Sequence, residues 1–360
     1  MLHFHPLTVR EIRRETDDCV SIVFDPPAEF VDEYRYIQGQ HLNFKVLLDG
    51  EDVRRSYSIC SSVGENELRV AIKKVDGGVF STFANERLRV GDTLEVMAPA
   101  GRFNTPVDPD HENTYVAFAA GSGITPVSSI IKTTLETEPN GRFVLFYGNR
   151  NRDSIIFREQ FEDLKNRFMD RFGLHHILSR EAQEIELYNG RLDTEKVQLL
   201  GRSVFRPEAI TQFYVCGPST MIEDVASGLN QLGVDDDRIH FERFVTGPLP
   251  DAEHVKKQAV EVEGHEQQSR VTVILDGRRT EFGMDYNADS ILDAAIERGF
   301  DLPFSCKGGV CSTCRTKLVE GKVDMEVNYA LEPHEVDAGY VLACQSRPLT
   351  DKVVVDFDAP

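Results

Sequence analysis

The sequence predicts a multidomain protein with three units: an antiparallel β-barrel, an α/β domain on a parallel sheet, and a small α+β domain of the β-grasp type. Three observations carry this expectation. Short β-branched runs punctuated by turn residues fill residues 1 to about 105. Strand-like and helix-like segments then alternate to about residue 245. Beyond a polar stretch, an Asp-Gly hairpin signal and one capped helical segment precede a group of cysteines.

In the first unit the strand-like runs are Ser21–Phe24, Leu42–Val46, Leu68–Ile72 and Thr93–Val96. Leu48–Gly50, Asp76–Gly78 and Val90–Asp92 separate them as turns. β-Branched and aromatic residues suit a pleated, half-buried surface, whereas Gly and Asp suit reversals. The second unit opens on Tyr115–Ala120, an apolar run of the kind needed by a strand buried on both faces. It leads into Gly121–Pro126 and a helical pattern from Val127 to about Thr137. Phe143–Tyr147, His175–Leu178 and Gln212–Cys216 are further strands, and a helix is expected around Phe157–Arg167. In the third unit, Val271–Leu275 and Arg279–Phe282 flank Asp276-Gly277. Ser290 can cap a helix that runs through Glu297 and stops at Gly299, and Val353–Phe357 is a last strand. The expected boundaries are 1–107 for the barrel, 108–246 for the α/β domain, 247–268 for a linker and 269–360 for the small domain. Gly247-Pro248-Leu249-Pro250 opens the linker, which lacks apolar periodicity.

Cys306, Cys311 and Cys314 stand in C-x4-C-x2-C spacing, and Cys344 follows after a long gap. That is the plant-type ligand pattern for a [2Fe–2S] cluster. The backbone must wrap closely around sulfur, and Gly308 and Gly309 permit turns that a Cβ would obstruct. Zinc also takes four thiolates, but its structural sites usually pair two short Cys hairpins, and the second hairpin is missing. A disulfide framework suits neither a chain of 360 residues nor an odd total of seven cysteines. Cys19 and Cys60 read as structural.

Composition narrows the function classes. Apolar content of 41% is ample for buried cores. A net charge of −20 leaves no basic excess to neutralise phosphates, so nucleic acid is excluded as an expected partner. The acidity can steer a basic redox partner or simply keep the protein in solution. No stretch approaches the ~20 apolar residues of a membrane-spanning helix, so no membrane association is expected. Met1–Pro6 lacks the basic start and apolar run of a signal peptide, and the expected compartment is the reducing cytoplasm.

Five further segments carry chemistry. Arg55-Ser56-Tyr57-Ser58 closes a strand of the first unit. An arginine fork can pair with a pyrophosphate, and a tyrosine ring can stack on a flat cofactor. In Gly77–Thr82, glycine amides and small hydroxyls at a turn into a helix suit an anion. Gly121–Pro126 lies between a strand and a helix, where an open α/β sheet receives a nucleotide phosphate. It departs from G-x-G-x-x-G in having Pro126 at the third position, and proline is tolerated where a helix begins. Cys216-Gly217-Pro218 follows another strand, and Phe241–Phe244 ends the α/β unit. A buried cysteine at a strand end and a core aromatic are the plain alternatives for these two.

These residues together resemble the ferredoxin–NADP reductase superfamily, whose R-x-Y-S and G-x-G-x-x-P motifs have these forms. With a plant-type ferredoxin segment after them, the order resembles that of reductase components of multicomponent oxygenases. The loop Leu302–Arg315 is most similar to the reductase subunits of phenylacetyl-CoA epoxidases, and ketosteroid 9α-hydroxylase reductases are close relatives. The resemblance implies that Arg55, Ser56, Tyr57 and Ser58 bind flavin, with Ser58 near its N5, and that Gly78, Ser81 and Thr82 meet its phosphate. It implies that Gly121, Gly123, Thr125 and Pro126 hold the nicotinamide nucleotide. Cys216, Gly217 and Pro218 would lie beside the nicotinamide, with Glu242 and Phe244 near the flavin. Ser179 and Arg180 resemble the adenosine 2′-phosphate site of NADPH users, although the adjacent Glu181 is the residue type that pairs with a ribose diol. NADPH is therefore expected, with NADH as the alternative, and FAD is expected over FMN. Cys306 and Cys311 would ligate one iron, and Cys314 and Cys344 the other. The implied function is electron transfer from NAD(P)H through FAD and the cluster to a diiron oxygenase component in phenylacetate catabolism. A reductase for a Rieske-type ring or ketosteroid hydroxylase is the alternative enzyme. A cluster-based redox sensor is the non-enzyme alternative, but a sensor needs no flavin and nicotinamide apparatus. A stand-alone reductase for nitric oxide or oxygen defence would be expected to carry a globin-like segment before the barrel.

Overall fold

The computed structural model describes residues 3–244, 268–286 and 289–359. One compact body comprises Phe4–Val53 with Tyr57–Phe244, and a second is built on residues 268–359.

The first body starts with β1 (Phe4–Thr16), β2 (Cys19–Asp25), β3 (His41–Leu48), β4 (Glu51–Ser58), β5 (Leu68–Lys73), helix α1 (Val79–Glu86) and β6 (Thr93–Met97). The strands form one sheet in the order β4-β3-β6-β1-β2-β5. Its pairs β1–β2, β1–β6, β2–β5 and β3–β6 are antiparallel. A bridge from Ile59, just past β4, to Val70 of β5 joins the two edges, so the sheet curls into the expected barrel. Leu7, Ile22, Phe44, Val70 and Val96 fill it. Strand β1 is longer than any that the sequence suggests. It serves β6 through Phe4–Thr8 and β2 through Thr8–Thr16.

The parallel sheet follows with β7 (Thr114–Ala120), α2 (Ile124–Thr137), β8 (Arg142–Asn149), α3 (Arg158–Arg167), β9 (Phe172–Leu178), α4 (Thr194–Ser203), β10 (Gln212–Gly217), α5 (Ser219–Gln231) and β11 (Ile239–Arg243). Its order is β11-β10-β7-β8-β9, and every pair is parallel. Val127 and Ile131 of α2 cover one face, and Val197, Leu200, Val225 and Leu229 of α4 and α5 cover the other. Helix α2 begins at Ile124, ahead of the expected Val127, so Pro126 lies in its first turn, where a missing N–H costs little. The hydroxyls of α2 reach back to the segment after β4. Ser128 Oγ donates to Cys60 O at 3.1 Å, Ser129 Oγ donates to Ser61 O at 2.6 Å, and Thr133 Oγ1 accepts from Val63 N–H at 3.1 Å. Each such buried bond contributes about 1 kcal/mol and fixes the helix against the barrel segment.

The second body contains β12 (Gln268–Leu275), β13 (Arg278–Asp285), α6 (Ile291–Ile296), β14 (Arg315–Glu320), β15 (Val323–Met325), α7 (Pro333–Asp337), β16 (Tyr340–Leu342), β17 (Ser346–Pro348) and β18 (Lys352–Asp356). Five strands run in the order β13-β12-β18-β14-β16, and β15 pairs with β17 apart from them. The parallel β12–β18 pair at the centre is consistent with the β-grasp expectation. Asp276 and Gly277 turn through positive φ, 53° and 69°, as a two-residue hairpin requires. Ser290 Oγ accepts from Asp293 N–H at 3.0 Å and caps α6 as expected. Of the expected linker, 247–267 lie outside the described residues. Gln268 pairs with Asp285 and belongs to β12, a correction of one residue. No helix among the described residues is long and apolar enough to cross a membrane.

Candidate functional site

The parallel register assembles the first part of the site. Cys216 of β10 lies opposite Glu242 of β11 on one side and Ala119 of β7 on the other. Ser58, the last residue of β4, donates its hydroxyl to Glu242 Oε2 at 3.1 Å. Three residues distant in sequence and singled out separately thus meet at one point. Phe244 packs against the neighbouring core. The thiol of Cys216 is wholly buried, and burial first, then the nearby Glu242, pushes it well above its ordinary range. A thiol shifted that way stays protonated at neutral pH.

His41 joins this group although nothing in the sequence marked it. Its Nδ1 is 3.9 Å from Glu242 Oε1, and its side chain is 7% exposed. Burial raises the Glu242 carboxyl to about 8, and the Ser58 hydrogen bond offsets part of that. Burial alone lowers the His41 imidazole to about 4. The signs oppose each other. From about pH 4.5 to 8 the unfolded Glu242 ionises while the folded one does not, so its contribution to stability is lost as pH rises. From about pH 6.5 down to 4 the unfolded His41 takes up a proton that the folded one refuses, so stability is lost as pH falls. Glu242→Gln should therefore gain stability relative to the parent between pH 6.5 and pH 8. Denaturant midpoints measured at both pH values check this, and an unchanged difference would contradict it.

The nucleotide loop follows β7. Gly121 adopts φ +54°, and its carbonyl accepts from Tyr147 Oη at 3.0 Å. Gly123 is required by space, because a Cβ there would lie 2.1 Å from the carbonyl oxygen of Cys216. Thr125 Oγ1 donates to Ser122 O at 3.0 Å and tightens the turn into α2. A Cβ on Gly217 would lie 2.6 Å from Met221 Cε, and Pro218 leads directly into α5. Loop and strand end are thus in backbone contact, which places Gly121, Gly123, Thr125, Pro126, Cys216, Gly217 and Pro218 in one region.

On β4, the Arg55 side chain is exposed and donates from Nη1 to Arg54 O at 2.7 Å. Ser56 is half-buried, as is Tyr57, whose ring centroid is 5.4 Å from that of Phe80 and 6.0 Å from that of Phe44. Gly78 precedes the first residue of α1, as an anion-binding turn requires. The Ser81 hydroxyl is buried and spent within the turn, donating to Gly78 O at 3.2 Å and accepting from Val75 N–H at 3.1 Å. The backbone amides at the start of α1, with the half-buried Thr82, remain for an anion.

At the end of β9, Ser179 and Arg180 are exposed. Ser179 Oγ donates to Asn149 O at 3.3 Å, and Arg180 N–H donates to Arg150 O at 2.8 Å. Glu181 is held elsewhere, accepting from Arg152 N–H at 2.8 Å with Arg152 Nε 3.5 Å away. Arg180 has no ion-pair partner among the described residues.

In the second body the four thiols come as two neighbouring pairs, Cys306 with Cys311 and Cys314 with Cys344. Within each pair the neighbouring thiol pushes its partner down, Cys311 in the first and Cys344 in the second. Among the described residues no three His, Cys, Asp or Glu side chains converge as a single metal ion would need. Two pairs fit two irons, and the donor set fits a [2Fe–2S] cluster better than one zinc ion. The loop turns through positive φ at Lys307, Gly309 and Ser312. A Cβ on Gly309 would lie 2.9 Å from the Val327 carbonyl oxygen, so glycine is required there. Gly308 N–H donates to Cys306 Sγ at 3.3 Å and Gln345 Nε2 to Cys344 Sγ at 3.6 Å, contacts that stabilise thiolate charge.

An FAD-binding oxidoreductase domain matches residues 6–105, an NAD-binding oxidoreductase domain matches 118–227, and a 2Fe-2S iron-sulfur cluster binding domain matches 273–349. A component of the 1,2-phenylacetyl-CoA epoxidase of Escherichia coli is 47% identical over 359 residues, covering 100% of this chain and 99% of its own. The chain belongs to the oxygenase reductase family. A ferredoxin reductase component of 3-ketosteroid-9-alpha-monooxygenase from Rhodococcus rhodochrous is 34% identical over 98% of this chain and 96% of its own. The solved phthalate dioxygenase reductase, at 22% identity and 98% coverage of both chains, has the same fold with a TM-score of 0.59. This reductase is an oxidoreductase in which electrons pass from pyridine nucleotide via FAD to [2Fe–2S]. When bound, FAD accepts the electron pair of a hydride and the cluster takes one electron at a time. Among this chain's own residues, Ser58 donates its hydroxyl to the buried Glu242, and Gly123 lets the loop after β7 approach the end of β10 closely.

Proposed function

We propose that the chain is the reductase of a phenylacetyl-CoA epoxidase-type system, delivering electrons from NADPH to a diiron oxygenase component in the cytoplasm. The observation that carries this reading is the end-to-end 47% identity with the Escherichia coli epoxidase component. The domains are assigned as 1–107 for FAD, 108–246 for the nucleotide and 268–360 for the cluster. Arg55, Tyr57 and the amides at the start of α1 hold the flavin. Gly121–Pro126 and Cys216–Pro218 hold the nicotinamide nucleotide. The four cysteines hold the cluster. Reconstitution with purified phenylacetyl-CoA epoxidase oxygenase components should give NADPH-dependent epoxidation. Turnover only with a ketosteroid oxygenase would overturn the assignment in favour of the other reductase type.

NADPH is favoured because Glu181 is bound to Arg152 while Arg180 lies exposed at the strand end. A guanidinium pairs well with a phosphate. Arg180→Ala should raise KM for NADPH roughly tenfold and leave that for NADH within about twofold. Equal changes with both nucleotides would refute the preference.

A further inference from the structure

The loop with Cys306 and Cys311 and the segment with Cys344 are distant in sequence, and Gln345 joins them. Its Nε2 donates to Lys307 O at 2.8 Å and to Cys344 Sγ at 3.6 Å. Both partners are acceptors, so the end of the amide that faces them is the amino group, with one hydrogen for each. The stem packs on the same loop, since a Cβ on Gly309 would lie 3.3 Å from Gln345 Cγ. The backbone is held as well. Gln345 N–H donates to Leu342 O at 2.9 Å, and Gln345 O accepts from Glu326 N–H at 3.0 Å. Gly309 O accepts from Tyr329 N–H at 3.0 Å, so residues 326–329 strap the loop to the Cys344 segment. The amide is thus aimed from several sides. Gln345 is half-buried and Cys344 buried, where a dipole is poorly screened. A tie between segments needs only the bond to Lys307 O. The second hydrogen, on the ligand sulfur, goes beyond that need.

We propose that Gln345 is a positioning residue for the electron-transfer step: one N–H of its amide fixes the Cys306–Cys311 loop against Cys344, and the other raises the reduction potential of the cluster. The proposal rests on the reading that the four cysteines hold the cluster. Reduction adds one electron, drawn from the pyridine nucleotide through FAD, and makes or breaks no bond to hydrogen. The added negative charge falls partly on the ligand sulfurs, and a donor aimed at one of them favours the more negative state. Cys306 has a donor of its own in Gly308 N–H at 3.3 Å, but that one is backbone and is present whatever the side chain. Gln345 supplies its donor from a side chain, so this part of the potential is set by the identity of a single residue. Without it, the cluster would draw electrons from reduced flavin less completely.

The test is a redox titration of the holoenzyme at pH 8, where an imidazole is neutral. Reduced cluster is counted by electron paramagnetic resonance, so only loaded molecules contribute. Q345M keeps the stem and removes the donor. Its cluster should bind the electron roughly tenfold less tightly than the parent, which is about 59 mV lower for a one-electron couple. Q345E keeps the length but sets an acceptor where the donor stood, and should fall at least as far. Q345H returns a neutral N–H donor and should recover part of the difference. The flavin potential should stay at the parent value in all three. Parent cluster potentials in Q345M and Q345E overturn the proposal, and so does a fall in Q345H equal to that in Q345M. Failure of both Q345M and Q345E to load iron and acid-labile sulfide would make Gln345 a residue of assembly and overturn its effect on potential. C344A tests the underlying reading, since it should lose the parent signal and sulfide. If C344A keeps them, the ligand reading fails. If C344A loses them while the Gln345 variants titrate like the parent, only the Gln345 proposal fails.

Discussion

Replacing Cys311 with serine is expected to cut NADPH-driven cytochrome c reduction by roughly a hundredfold or more while ferricyanide reduction stays within about twofold of the parent. The Cys311 side chain is buried beside Cys306, and that neighbouring thiol holds it below its ordinary range. A serine oxygen is harder, remains protonated at neutral pH and binds iron poorly in a sulfur-rich site. The cluster bands should vanish and the flavin bands remain, since no atom of Cys311 belongs to the hydride-accepting body. Loss of both activities in a protein with parent-like circular dichroism would contradict the separation of hydride entry from electron exit.

Gly123→Ala is the second large effect. The new Cβ would stand 2.1 Å from the Cys216 carbonyl oxygen and 2.8 Å from Gly217 N. Those are backbone atoms of β10, which is clamped between β7 and β11, so neither side can yield cheaply. Overpacking of this kind costs about 3 kcal/mol or more, and the melting temperature should fall by roughly 6–12 °C. The displaced atoms belong to the segment proposed to hold the nicotinamide, so NADPH-to-ferricyanide activity should fall by at least about tenfold even below the melting range. The chain has no tryptophan, so circular dichroism and flavin release are the readouts of unfolding. A variant with parent stability and parent KM would show that the close approach is not required.

How much of this was legible in the sequence varies with the distance over which each signal acts. The Asp276-Gly277 hairpin, the Ser290 cap and the cysteine spacing are local, and the structure keeps them. Strand β1 escaped because Glu11, Arg13 and Arg14 interrupt its apolar alternation and Pro6 sits inside it. Its two halves pair with different neighbours, which no local pattern reveals. Helix α4 carried a readable start, since Asp193 accepts from Lys196 N–H at 2.8 Å, but its apolar stripe is short. Ser81 was read for its hydroxyl, and the turn itself consumes that hydroxyl. His41 could not be found from sequence. A lone histidine in a strand is an ordinary core residue until the register of β10 and β11 brings Glu242 to it.

The hydroxyl-to-backbone stitches between α2 and residues 60–63 bear on how such modules could be exchanged between relatives. A chimera joined at 107/108 would import Ser128, Ser129 and Thr133 from one parent while keeping Cys60, Ser61 and Val63 from the other. Matched seams should give active hybrids, and mismatched ones should assemble with the two ring systems slightly out of alignment. A working chimera therefore has to match a short stretch far from the obvious junction.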